Sequence, residues 1–115
     1  MIIKESNITI NVRDLDKSVS FYESIGFTVK NRWVNYYAQL TASGLTIGLH
    51  PTNESNLSGH SGNVSIGFIT EDLSNAKSIL ETLSIRVTER QEEGGQFLHF
   101  VDPDGTALYF IKPKV

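Results

Sequence analysis

The chain repeats one pattern of strand, cap and helix residues after 58 positions. Asn7-Ile8-Thr9-Ile10-Asn11 leads to Asp14-Leu15, and Ser65-Ile66-Gly67-Phe68-Ile69 leads to Asp72-Leu73. A repeat this long that occurs only twice excludes a solenoid and predicts two equivalent half-domains packed together, since each half is too small to bury a good core by itself. The alternative is an α+β domain whose halves are similar by coincidence.

Each half of the chain predicts the element order βαβββ. In the first half, apolar and polar residues alternate as in a half-buried strand, and Asp14 then caps an amphipathic helix that ends at Gly26. Ser84 takes the place of Gly26 in the second half. The first half is predicted to have strands at 8–12, 27–33, 36–40 and 45–50 and a helix at 15–25. The second is predicted to have strands at 65–69, 85–90, 97–101 and 107–111 and a helix at 73–83.

The segment 51–63 separates the two halves. It is rich in Pro, Gly, Ser and Asn and lacks hydrophobic periodicity, so it is predicted to be an exposed connection. The sequence therefore predicts a single domain, residues 1–115, with module one at 1–50, a linker at 51–63 and module two at 64–115.

Charge and cysteine content narrow the possible partners. The formal net charge is -3, from 13 acidic and 10 basic residues spread along the chain, so nucleic acid is not an expected partner. No cysteine is present, which excludes disulfides, thiolate metal sites and a cysteine nucleophile. No apolar stretch is long enough for a signal peptide or a membrane span. We therefore expect a cytoplasmic protein with no membrane partner.

Two motifs and the repeat together carry a family resemblance. The motifs are Val12-Arg13-Asp14-Leu15-Asp16-Lys17-Ser18-Val19-Ser20-Phe21-Tyr22 with Gly26-Phe27, and Asp102-Pro103-Asp104-Gly105. The chain resembles, over its whole length, the glyoxalase/bleomycin-resistance/dioxygenase superfamily, also called the vicinal oxygen chelate (VOC) superfamily. The resemblance implies an α+β fold whose two βαβββ modules form a curved mixed sheet around a cleft. It also implies a homodimer.

The motif residues also have structural explanations that need no chemistry. Phe21 and Tyr22 lie on the predicted helix, where aromatic side chains are usually buried in a core or an interface. In the segment 102–105, Pro103 presets φ and Gly105 tolerates a positive φ, so we expect a type I turn with a G1 bulge.

The resemblance further implies where metal ligands would lie. In metal-dependent relatives four ligands, drawn from His, Glu and sometimes Gln, point into the cleft. The matching positions here are Asn7, Gly48, Ser65 and Tyr109. None supplies the His/carboxylate sphere that holds a catalytic transition metal, so neither a metal nor another cofactor is expected.

The three histidines are the remaining metal candidates. His50 follows Gly48 by two residues and therefore shares its strand face. If Gly105 is the extra residue of a bulged turn, His99 opposes Tyr109 across the hairpin; in a plain hairpin it would point away. His60 is expected to lie in the linker, exposed to solvent. A hydrogen-bonded wall residue without chemistry is an equal interpretation for each histidine.

The predicted strand registers assign two sets of side chains to the cleft. The first module contributes Asn7, Thr9, Asn11, Tyr36, Ala38, Leu40, Thr46, Gly48 and His50. The second contributes Ser65, Gly67, Ile69, Phe97, His99, Val101, Ala107, Tyr109 and Ile111. Aromatic and aliphatic walls with a few polar groups are typical of a small-molecule site. Trp33 lies on a hairpin that often forms the cleft rim in relatives, with burial in a dimer as the alternative. The predicted ligand-binding residues are Asn7, Trp33, Tyr36, His50, Ser65, His99 and Tyr109.

These observations favour a metal-independent small-molecule-binding protein of the bleomycin-resistance type, a homodimer that sequesters or senses an aromatic or amphipathic ligand. The first alternative is a glyoxalase-like lyase or isomerase, or another enzyme, with an unrecognised metal or a metal-free acid-base site such as His99 with Tyr109. The second is a module whose cleft is filled by its own side chains and which is retained as a dimer or partner domain.

Overall fold

The computed structural model describes residues 1–52 and 64–114. The chain divides into two compact units, Met1–Leu57 and Ser58–Val115, which we call module one and module two. The predicted linker from position 53 onward, with His60, lies outside the described residues. None of the helices in the described part of the chain is long and apolar enough to cross a membrane.

Both modules have the predicted order βαβββ. Module one consists of β1 (Ile8–Val12), α1 (Leu15–Ser24), β2 (Thr28–Trp33), β3 (Tyr37–Ala42) and β4 (Leu45–Pro51). Module two consists of β5 (Ser65–Ile69), α2 (Leu73–Thr82), β6 (Thr88–Glu92), β7 (Gly95–Val101) and β8 (Ala107–Pro113). The predicted pair of βαβββ modules is therefore confirmed.

Each module folds around its own four-stranded mixed sheet. The strand order is β1-β4-β3-β2 in module one and β5-β8-β7-β6 in module two. In each sheet the first strand runs parallel to the last, and the other pairs are antiparallel hairpins. The helix carries the chain from the first strand to the second at the opposite edge of the sheet, and the two hairpins then bring the last strand back beside the first. The two sheets thus repeat one topology.

Both helices begin and end in the same way. The side chains of Asp14 and Asp72 cap the N-termini by accepting hydrogen bonds from the backbone N–H groups of Lys17 (3.1 Å) and Asn75 (2.9 Å). At both C-termini, two backbone hydrogen bonds close a Schellman motif around a residue with positive φ. That residue is Gly26 (φ 117°) in module one and Ser84 (φ 59°) in module two, as the repeat predicts.

One face of each sheet packs against the helix of its own module. Leu15, Val19 and Tyr22 of α1 are buried, and α1 contacts β2, β3 and β4. The sheet residues of module one that are buried are Ile10, Val12, Ala38, Leu40, Ile47 and Leu49. Module two buries Ala76 and Leu80 of α2 together with Ile66, Leu98, Phe100 and Leu108. Each helix therefore covers the apolar face of its sheet, and the opposite face is left for other contacts.

Phe21 and Tyr22 are core residues, as predicted. Tyr22 has no exposed surface, and its ring meets the rings of Phe21 and Phe27 edge to face at centroid distances of 5.1 and 5.4 Å. The contact with Phe27 is the hydrophobic contact that usually accompanies a Schellman motif. These aromatic residues stabilise the fold and lie away from the open face of the sheet.

Candidate functional site

The sheet face of module one that points away from α1 is polar, and we call it the polar face. The strand registers place on it one asparagine-rich row from β1 and alternating residues from the other three strands. Its members are Asn7, Thr9, Asn11, Thr28, Asn31, Trp33, Tyr37, Gln39, Thr41, Thr46, Gly48 and His50. No aliphatic side chain is among them, so this surface is suited to hydrogen bonding and stacking.

A tyrosine crosses the centre of the polar face. The hydroxyl of Tyr37 lies over Gly48 and accepts a hydrogen bond from the Asn7 Nδ2 atom at 3.1 Å. A Cβ atom at position 48 would overlap the Tyr37 ring, so glycine is required for this arrangement. The ring of Trp33 lies beside that of Tyr37, with centroids 5.7 Å apart.

A groove of about 550 Å³ lies on the polar face, within module one. It is lined by Glu5, Ser6, Asn7, Lys30, Asn31, Trp33, Gln39 and Thr46. The Asn31 Nδ2 atom donates to the Gln39 Oε1 atom at 3.3 Å, and the Lys30 Nζ atom lies 3.7 Å from the Glu5 Oε1 atom. The only aromatic residue among these lining residues is Trp33, which is 49% exposed.

The predicted register of β3 is wrong by one residue. Tyr36 belongs to the turn before the strand and is 78% exposed, whereas Ala38 and Leu40 are fully buried on the helix side. Because strand side chains alternate, starting the strand at Tyr37 moves the whole set to the opposite face. Tyr37, Gln39 and Thr41 therefore take the places that Tyr36, Ala38 and Leu40 were predicted to occupy.

The corresponding face of module two is mostly aromatic and aliphatic, and we call it the aromatic face. The registers place all nine residues that were predicted for module two on this one face, and they add Thr88 and Arg90 from β6. Ile69 and Val101 are exposed there. The repeat therefore carries two chemically different surfaces on one topology.

Three rings cluster at the centre of the aromatic face. Phe97 and His99 stack with centroids 5.7 Å apart and an interplanar angle of 6°, and Tyr109 lies 5.8 Å from each. The Tyr109 ring covers Gly67 on the neighbouring strand, where a Cβ atom would overlap it. Each module thus places a tyrosine over a glycine of the adjacent strand.

The turn between β7 and β8 brings His99 opposite Tyr109, as the bulged hairpin predicts. The Gly105 N–H donates to the Asp102 carbonyl at 3.0 Å, and Gly105 has a φ of 89°. The Asp102 Oδ1 atom accepts from the backbone N–H groups of Asp104 and Thr106 at 2.8 and 2.9 Å. The buried carboxylate of Asp102 therefore holds the turn, and the predicted structural role of this segment is confirmed.

The four positions that the family resemblance matches to metal ligands do not form a ligand set here. Asn7 and Gly48 are engaged by Tyr37, and Ser65 and Tyr109 lie on the aromatic face of module two. Among the residues that the structure describes, no group of three His, Cys, Asp or Glu side chains could hold a metal ion. A hydroxyl and a neutral amide without His or carboxylate partners do not fit a catalytic transition metal.

The structure groups six of the seven predicted ligand-binding residues into two sets, and Tyr36 lies in the turn before β3, outside both. Asn7 and Trp33 line the same groove, and His50 shares their face but does not line it. Ser65, His99 and Tyr109 share the aromatic face. Among the groove residues not predicted from sequence are Glu5, Lys30, Asn31 and Gln39. The residues of β3 alternate strictly, with polar residues at 37, 39 and 41 and apolar residues at 38, 40 and 42. This alternation is the signal that would have identified Gln39 and Tyr37.

Comparisons with known proteins agree with this architecture. Glutathione transferase FosA of Serratia marcescens is 30% identical over 94% of this chain and 79% of its own length. The crystal structure of the fosfomycin resistance protein FosX from Listeria monocytogenes superposes with a TM-score of 0.82 at 22% identity, covering 100% of this chain and 97% of that one. A bleomycin-binding protein complexed with bleomycin superposes with a TM-score of 0.71 at 22% identity, covering 97% of this chain and 100% of that one.

The family model named Glyoxalase/Bleomycin resistance protein/Dioxygenase superfamily matches residues 6–110. This span contains both βαβββ modules except the last residues of β8. The chain belongs to the glyoxalase/bleomycin resistance protein/dioxygenase superfamily.

Proposed function

We propose that this protein binds a small aromatic or amphipathic molecule without a metal, and that it sequesters or senses that molecule. The observation that supports this proposal most is the state of the four ligand positions. Asn7 donates to a tyrosine, position 48 has no side chain, and Ser65 and Tyr109 bring no carboxylate or imidazole. The scaffold is shared with relatives such as FosX that have been solved with a metal, but the positions that the family resemblance matches to metal ligands carry other residues here.

The open sheet face of each module, considered by itself, offers groups that contact small molecules. The polar face offers amide and hydroxyl groups beside Trp33 and Tyr37, and the aromatic face offers the Phe97, His99 and Tyr109 rings. Neutral hydrogen bonds contribute about 1 kcal/mol each and aromatic pairs about 0.5 to 1.5 kcal/mol each, so several such contacts give useful affinity.

The relatives divide into metal-dependent and ligand-binding examples. FosX has been solved with Mn(II) and sulfate, whereas the bleomycin-binding protein has been solved with bleomycin. Because the metal-ligand positions carry Asn7, Gly48, Ser65 and Tyr109, we group this chain with the binding proteins. Its own ligand is described by chemical class and need not be bleomycin.

We also propose that the protein forms a homodimer in the cytoplasm. In each sheet of the described residues the outer strands, β1 and β2 or β5 and β6, have a hydrogen-bonded strand on one side only. Open strand edges favour pairing with another chain, and closed two-fold dimers are the commonest soluble assembly. Sedimentation at micromolar concentration should give the mass of two chains, and the mass of one chain would contradict this proposal.

Metal analysis and a turnover assay test the proposed function together. Protein purified without chelators should carry less than stoichiometric Zn, Ni, Mn or Fe, and calorimetric titration with bleomycin should give the same result with and without Mn(II). Fosfomycin should not be consumed in the presence of Mn(II) and glutathione. Stoichiometric metal, or Mn(II)-dependent loss of fosfomycin, would contradict the proposal.

One observation favours an enzyme as the second candidate. His99 and Tyr109 are adjacent on the aromatic face, with ring centroids 5.8 Å apart, and an imidazole beside a phenol can transfer protons. If this pair is catalytic, a ligand found by binding will be altered chemically on incubation, and both His99→Ala and Tyr109→Phe will stop the change. Recovery of the ligand unaltered would support the binding protein.

A further inference from the structure

The groove on the polar face has almost no net charge to offer a ligand. Lys30 is the one cationic residue among its described lining residues, and Glu5 is the one acidic residue. Their charged atoms lie 3.7 Å apart, so the pair is neutral as a unit. Both side chains are substantially exposed, and such a surface pair is weak. The remaining lining residues are uncharged.

Carboxamides dominate the hydrogen-bonding groups of this groove. Asn7, Asn31 and Gln39 line it, and each carboxamide can donate and accept at the same time. Asn31 donates to Gln39, and Asn7 donates to Tyr37. Each of these bonds uses only part of the capacity of its carboxamides, so donors and acceptors are left beside one another whichever way the amides are turned. This arrangement matches a ligand group that also donates and accepts together.

An aromatic surface lies next to these amides. Trp33 is half exposed, and the Tyr37 ring lies beside it, inclined by 36°. An exposed indole face can stack on a planar ring while the ring's substituents reach the neighbouring amides. The groove volume of about 550 Å³ is large enough for a fused bicyclic ring.

We propose that this groove takes an uncharged planar ring bearing an amide-like donor and acceptor, and that it discriminates against carboxylate and phosphonate anions. The proposal rests on the binding function proposed above and names the ligand class. An anion placed here would lose hydration, and its nearest cation is already partnered by a carboxylate. An uncharged amide loses less hydration and finds both kinds of partner on Asn31 and Gln39. Specificity then comes mainly from Asn31 and Gln39, which are not among the four positions matched to metal ligands.

Trp33 gives a direct readout because it is the only tryptophan in the chain. Naphthalene-2-carboxamide and naphthalene-2-carboxylate have the same ring and differ in the charge of one substituent. Each is titrated against the wild-type protein while Trp33 fluorescence is followed, with N-acetyltryptophanamide as the control for collisional quenching. Methylphosphonate is tested as a competitor. The carboxamide should bind with a Kd lower by about tenfold, and methylphosphonate should not displace it.

Two variants and a control test whether the preference for the carboxamide arises in the groove. Asn31→Ala should weaken binding of the carboxamide several-fold and leave binding of the carboxylate unchanged. The control is Gln91→Ala, at an exposed strand residue of module two, and it should not change the affinity for either probe. Glu5→Gln leaves Lys30 without its partner, so the carboxylate should gain affinity and the preference for the carboxamide should narrow.

Equal or tighter binding of the carboxylate to the wild-type protein would overturn the ligand class. Absence of a specific Trp33 response to both probes would overturn the groove as the site, and so would a carboxamide response that Asn31→Ala leaves intact. None of these outcomes involves metal content or fosfomycin turnover. Failure of the ligand class is therefore distinguishable from failure of the proposed function.

Discussion

The two modules share one topology, and they differ mainly on the sheet face that their helices leave uncovered. Toward the helix, equivalent positions stay apolar, as Tyr22 and Leu80 illustrate. On the open face, Asn7 corresponds to Ser65 and Gly48 to Tyr109. Close packing constrains the covered face, because each change of volume there costs stability. The open face is free of that constraint, so the residues there can differ between the modules without a loss of packing.

The largest losses of stability are expected from substitutions on the covered faces, where equivalent substitutions in the two modules should have similar effects. Tyr22 and Leu80 occupy equivalent helix positions and have no exposed surface. Tyr22→Ala should lower the free energy of unfolding by about 4 kcal/mol and Leu80→Ala by about 3 kcal/mol, because each leaves a cavity against its sheet. Urea denaturation followed by circular dichroism measures both. A cost below about 1 kcal/mol at either position would show that its helix is not packed as described.

Exchanging glycine and serine at the two helix C-termini should change the stability of the protein in opposite directions. Gly26 and Ser84 both hold positive φ, which costs a non-glycine residue roughly 1 to 2 kcal/mol. Gly26→Ser should therefore destabilise by about that amount. Ser84→Gly should stabilise by about 0.5 kcal/mol, because relief of strain is partly offset by greater freedom of the unfolded chain.

Thermal denaturation of the two variants and of the wild-type protein measures the shift in Tm that each substitution causes. Two shifts of the same sign would contradict the equivalence of the two helix ends. The strained serine also marks a place where module two, unlike module one, has retained a less favourable residue in a shared motif.

The smallest effects on stability, and the most informative for function, are expected at the glycines covered by tyrosines. A Cβ atom at Gly48 would displace the far end of Tyr37 and break its hydrogen bond with Asn7. Gly48→Ala should cost under about 1 kcal/mol, because one exposed hydrogen bond is lost and the ring can move. Binding of naphthalene-2-carboxamide should nevertheless weaken.

Gly67→Ala is the matched control, because it displaces Tyr109 on the aromatic face of module two. It should leave the Trp33 response to the carboxamide unchanged. Loss of that response in the Gly67 variant would show that the groove is not independent of the aromatic face.

The sequence was sufficient to predict the order of the elements because most of their signals are local, although β6 begins at Thr88 and not at the predicted Ile85. Alternation and the Asp14 and Asp72 caps each depend on neighbours within one turn or strand, and the 58-residue repeat shows that the same local signals occur twice. The opposition of His99 and Tyr109 followed from turn chemistry, since Pro103 and Gly105 determine the bulge and the bulge determines the register.

The groove could not be predicted in the same way. The exact start of β3 depends on how many residues the preceding turn uses, and an error of one residue exchanged the two faces. A bulge between Val29 and Asn31 shifts the register of β2 as well, so the place of Asn31 beside Gln39 is not readable from alternation alone. The approach of Glu5 to Lys30 joins a segment before β1 to the far edge of the sheet, and no local pattern indicates it.

The most direct test of the central claim is a Mn(II) titration of ¹⁵N-labelled protein followed by NMR. A paramagnetic ion broadens the amide signals of residues around the place where it binds. If the protein binds its ligand without a metal, Asn7, Gly48, Ser65 and Tyr109 should show no more broadening than the average residue, and His50 and His99 should behave in the same way. Selective broadening of these residues at stoichiometric Mn(II) would contradict the account.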